Sequence, residues 1–93
     1  MNKIEARHVL QAQLEPWRRR PYTELSSEVG QSRRFETTGQ SGTWYQGEVR
    51  VFWDDQPNGA IRVDASVDDG GWRAFLPLTD DFILAPDGTF VGE

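Results

Sequence analysis

Three aspartate doublets, Asp54-Asp55, Asp68-Asp69 and Asp80-Asp81, fall in the second half of this 93-residue chain. Carboxylates clustered on Gly-bearing loops are the raw material of a calcium site, and two facing carboxylates can hydrolyse a glycosidic bond. Neither chemistry finds its full pattern. No twelve-residue loop with ligands at alternating positions is present, and so short a chain has little core with which to wall a sugar cleft. Aspartate also favours turns because its carboxylate bonds its own backbone, which is the first reading of these doublets. Alternate turns of a meander share one end of the sheet. Asp54, Asp55, Asp80 and Asp81 are therefore expected together as the candidate cation site, with Asp68, Asp69 and Asp87 at the other end.

Other reactive groups are sparse. The chain has no cysteine, so disulfides, thiolate metal sites and cysteine nucleophiles are excluded. His8 is the one histidine; with no second ligand beside it, it builds no zinc site, and with no Ser or Thr at helical spacing it activates no nucleophile. Gly39-Gln40-Ser41-Gly42 lacks the lysine and following helix of a phosphate loop. No cofactor motif is present, and a non-enzymatic protein is expected.

Arg18-Arg19-Arg20 and Arg33-Arg34, with Trp17 and Tyr22 between them, have the residue types of a nucleic-acid contact. The charge balance opposes that reading. Residues 1–34 hold seven Lys/Arg against four Asp/Glu, residues 35–93 three against eleven, and the net charge is −5. An acidic surface repels nucleic acid and anionic membrane, so neither is the expected partner. The basic first part is expected to meet the acidic remainder, within one chain or between two. The charged opening segment is unlike a signal peptide, and no stretch is apolar enough to span a bilayer, so a cytoplasmic location is expected.

Any site must be positioned by a modest core, since Leu, Ile, Val and Phe total 21 of 93 residues. Ala6, Val9, Leu10 and Leu14 fall within a helical stripe about 140° wide, predicting a helix over about 3–15. Asn2 is a suitable N-cap with Glu5 three residues on, as in a capping box, and Pro16 is expected to end the helix. Pro21 and Gly30 punctuate a second helix over about 21–29, with Tyr22, Leu25 and Val29 on one face.

Beyond Gly30 the period becomes two, predicting strands near 34–38, 43–53, 60–68, 72–78, 82–85 and 89–91. Helices first and short-linked strands after predict one α+β domain over residues 1–93. In it, one or two N-terminal helices pack on a four- to five-stranded antiparallel meander. The layout resembles cystatin-like architecture at the level of fold alone.

One sheet face is expected to carry the helices. The other holds Trp44, Phe52 and Phe75. If the Asp54–Gly59 turn sets Trp53 opposite Ile61, Arg50 faces Asp64 and Phe52 faces Arg62 on that outer face. Exposed aromatics flanked by arginine suit a protein interface; the competing reading folds the C-terminal hairpin or the Trp17 linker over them. Trp44, Arg50, Phe52, Arg62 and Phe75 are the candidate interaction residues. The expected function is a protein-interaction or self-associating module, with a protein partner or a second copy in a homodimer as the expected partner, and a metal- or small-ligand-binding domain as the alternative.

Overall fold

The side-chain oxygen of Asn2 accepts the backbone N–H of Glu5 at 3.1 Å, and α1 (Lys3–Arg18) starts there. That bond satisfies one of the donors a helix start leaves open. The computed structural model describes residues 1–71 and 77–93. Ala6, Val9, Leu10 and Leu14 are the buried face of α1, as their spacing predicts. Its end differs from expectation, because the helix passes through Pro16 to Arg18. Pro16 has no N–H for the Ala12 carbonyl and crowds that turn, at a cost of about 3 kcal/mol. Contacts beyond it offset the cost. Trp17 packs against the core, and the Arg18 guanidinium lies 5.2 and 4.6 Å from the ring centroids of Phe82 and Phe90.

The second helix, α2 (Tyr22–Glu28), buries Leu25 fully and packs Tyr22, with the following Val29, against the core. Gly30 then reverses the chain at φ +90°, a conformation open to glycine at little steric cost.

Among the described residues four strands follow: β1 (Ser32–Thr38), β2 (Trp44–Trp53), β3 (Ile61–Asp68) and β4 (Leu78–Leu84). They form one antiparallel sheet in the order β1-β2-β3-β4, and the two helices pack on it, giving the α+β fold. Ile61, Val63, Ala65 and Val67 of β3 are buried, with Tyr45, Val49 and Val51 on one side and Phe82 and Leu84 on the other. Above this inner face α1 lies over β3 and β4, and α2 reaches β2 and β3. Gly47 belongs to the same inner row of β2. A Cβ there would overlap the Ser66 carbonyl oxygen and the ring of Phe35, so the missing side chain lets the phenyl ring of β1 close over β2.

Of the strands expected in the last third, two change and one lies largely outside the described residues. The strand expected over 72–78 falls mostly on residues 72–76, outside the described residues. The strand expected at 82–85 is longer, beginning at Leu78 and running through Asp80 and Asp81 rather than turning at them. Alternation explains this: Asp81 projects to the outer face beside Arg62, and Phe82 and Leu84 enter the core. The last hairpin reduces to a turn. Ala85 donates to the Thr89 carbonyl at 2.8 Å, Val91 to Ile83 at 2.9 Å, and Leu84 bridges Phe90, so the C-terminal residues fold back along their own β4. No helix among the described residues is long and apolar enough to cross a membrane.

Candidate interaction face

Successive side chains of a strand alternate between faces, so the strands that fill the core also build a second surface. Among the described residues both helices lie on the inner face. The outer row of β2 is Trp44, Gln46, Glu48, Arg50 and Phe52; that of β3 is Arg62, Asp64, Ser66 and Asp68. Trp53 pairs with Ile61, which sets Arg50 opposite Asp64 and Phe52 opposite Arg62 as the turn length predicts.

Arg50 donates from Nε and Nη2 to the two oxygens of Asp64 at 3.1 and 2.8 Å. This fork-on-fork geometry fixes the guanidinium in plane as well as in distance. Its carbon stands 5.7 Å from the Phe52 ring centroid, and Glu48 approaches to 4.0 Å. The Asp64 bond raises the Arg50 pKa above its ordinary value. Arg62 donates from Nε to Asp54 at 2.8 Å and from Nη1 to Asp81, with the Asp54 bond as the main cause of its raised pKa. Gln46 donates to Asp68 at 2.9 Å.

Trp44 is different in kind. It is 43% exposed, and its ring rests on Gly70, which turns at φ +83°. A side chain at Gly70 would displace it. Trp44, Arg50, Phe52 and Arg62 thus share the outer face, where strand alternation put them; Phe75 lies outside the described residues.

The aspartates divide. Asp54 and Asp81 do come together, but the Arg62 guanidinium stands between them. Asp55 is exposed in the turn. Asp80 leaves the expected cluster, since β4 runs through it, and its carboxylate accepts the backbone N–H of Asp81 at 2.8 Å. Asp68 and Asp69 accept the N–H groups of Gly70 and Gly71 at 2.8 and 3.3 Å, as turn aspartates do. Among the described residues no three His, Cys, Asp or Glu side chains converge as a metal site would require.

The arginine-rich linker is spent on its own chain. Arg18 pairs with Glu93, Arg19 with Glu15, and Arg20 with Glu24 and Glu28 while stacking 4.6 Å from the Trp17 ring centroid. Arg33 shares Glu28, whose pKa is lowered, chiefly by the Arg20 bond. Of these pairs, Arg18–Glu93 alone joins the basic first part to the acidic remainder; the rest are local. His8 is exposed and lines a groove between α1 and β1 with Ile4, Ala12 and Thr37.

Sequence reasoning missed one polar cluster. The Glu5 carboxylate accepts the Ser41 hydroxyl at 2.8 Å, the Ser41 N–H at 2.9 Å and the Tyr45 hydroxyl at 2.8 Å. Those bonds, Ser41 foremost, lower its pKa. Only its capping position was legible, because residues 36 and 40 apart share no local pattern. Comparisons of the chain with protein-family models, with curated proteins and with solved structures found no match.

Proposed function

We propose that the protein is a non-enzymatic interaction module that docks a basic protein surface against the outer face of its sheet. The exposed Trp44, seated on Gly70, is the observation that carries this reading. Aromatic side chains exposed beside fixed charges supply much of the binding energy at protein interfaces. Around it, among the described residues, the face is acidic: Glu36, Glu48, Asp64, Asp68 and Asp81 outnumber Arg34, Arg50 and Arg62. The partner therefore carries lysine or arginine, with an apolar group to meet the indole. Arg50 and Arg62 are already held by carboxylates of the same chain, so less side-chain freedom is lost on docking.

The test is capture from cell lysate by immobilised wild type, W44A and Q11E, the last altering an exposed position on α1. A basic protein retained at low salt by wild type and Q11E, and lost by W44A or by high salt, supports the reading. Equal retention by W44A overturns it.

A further inference from the structure

The two edges of the sheet are treated differently. On β4 the Asp81 N–H is taken by the Asp80 carboxylate, and the Ile83 carbonyl by the N–H of Val91. That edge is blunted from within the chain, as sheet edges commonly are. On β1 the ladder to β2 is closed by Gly39 donating to Thr43 at one end and Val51 donating to Gln31 at the other. Hydrogen-bonded pairs alternate along an antiparallel ladder, so Arg33, Phe35 and Thr37 turn their backbone groups towards β2. Ser32, Arg34, Glu36 and Thr38 turn theirs outwards. Among the described residues neither Arg34 nor Glu36 has an ion-pair partner within 4.0 Å, whereas Arg50, their neighbour on the outer face, is held by Asp64.

We propose that β1 pairs with β1 of a second copy of this chain, antiparallel about a twofold axis at Phe35, joining the two sheets edge to edge. In that register the outward backbone groups of Arg34 meet those of Glu36 in the second copy, and Ser32 meets Thr38. Each Arg34 side chain then faces a Glu36 carboxylate on the outer face, twice by symmetry. Shifting the axis to Arg34 sets arginine against arginine, and shifting it to Glu36 sets carboxylate against carboxylate. Like charges directly opposite are unfavourable and opposite charges favourable, so the sequence Arg34-Phe35-Glu36 is complementary to itself in one register. On the inner face the two Phe35 rings become neighbours on the axis, covering a side chain left half-buried in one copy. There is room for this, because α1 lies over β3 and β4 and leaves β1 beside an open groove. A twofold pairing is closed and uses up both free edges, so it makes a dimer and not a fibre. The proposal uses the edge of β1 and does not depend on what the outer face binds.

Sedimentation velocity of the whole chain over a wide concentration range tests it, with R34E, E36R and the double variant R34E/E36R alongside. Wild type is expected to pass from monomer to dimer. Each single reversal weakens the dimer by about tenfold or more, since it replaces two attractions with two repulsions, and the double reversal restores it. Hydrogen exchange on wild type gives a second reading that needs no variant: the Arg34 and Glu36 amides gain protection as concentration rises. A monomer at every concentration, a dimer indifferent to both single reversals, or unchanged exchange at those amides overturns the proposal.

Discussion

The hydroxyl of Tyr45 donates to the carboxylate of Glu5 at 2.8 Å, tying the first turn of α1 to the second strand. Burial, then this bond to a carboxylate, pushes the Tyr45 pKa up to about 12 from 10.0. The unfolded chain releases the proton near pH 10 and the folded chain near 12. The contribution is therefore complete below pH 10 and lost as pH rises towards 12. Thermal melts across that window are expected to fall more steeply for wild type than for Y45F. The tyrosinate absorbance of Y22F, which isolates Tyr45, should rise with a midpoint of about 12. A midpoint near the ordinary value would show that the contact does not persist in solution.

Gly47 makes a sharper claim on packing. A methyl group there meets a backbone carbonyl, that of Ser66, as well as the Phe35 ring. The carbonyl belongs to a ladder and cannot step aside without opening it. Overpacking of this kind costs about 1–3 kcal/mol, so G47A is expected to lower the Tm by roughly 4–8 °C for each kcal/mol lost. An unchanged Tm would mean that Gly47 stands further from the Ser66 carbonyl of β3 and from the Phe35 ring of β1 than the structure has it.

What was legible in the sequence is what short-range pattern controls. Ile61, Val63, Ala65 and Val67 alternate without interruption, and with the Asp54–Gly59 turn they fix the β2–β3 register and the Arg50–Asp64 pair. Pro16 was misleading because its local cost is outweighed by the packing of Trp17 on the core and by Arg18, which meets Phe82 and Phe90 from far along the chain. The Asp80-Asp81 doublet reads locally as a turn; only the approach of Arg62 makes an aspartate at 81 favourable in a strand. The Glu5 cluster has the same cause, its partners being brought near by the fold alone.

Arg62 also bears on cation binding. Its guanidinium occupies the space between Asp54 and Asp81, the pair that a divalent ion would otherwise bridge. Exposed ion pairs contribute about 0–1 kcal/mol, so R62A should change the Tm little. Millimolar calcium, magnesium or manganese is expected to leave the wild-type Tm unchanged. A cation-dependent rise would show an ion stabilising the folded state by mass action, and would favour the metal-binding alternative.

Pro16 offers the opposite experiment, a substitution expected to stabilise. In P16A the backbone N–H returns and can donate to the Ala12 carbonyl, and the crowding of the preceding turn is relieved. Exchange of proline for alanine inside a helix is worth about 3 kcal/mol, less about 0.4–1 kcal/mol for the greater freedom of the unfolded chain. The helix here is already built around the proline and held by Trp17 and Arg18, so part of the gain is forgone and a rise of about 1–2 kcal/mol is expected. Chemical denaturation of wild type and P16A measures it directly. A fall in stability would mean that Pro16 itself helps aim Arg18 at Phe82 and Phe90, and R18A should then destabilise wild type more than it destabilises P16A.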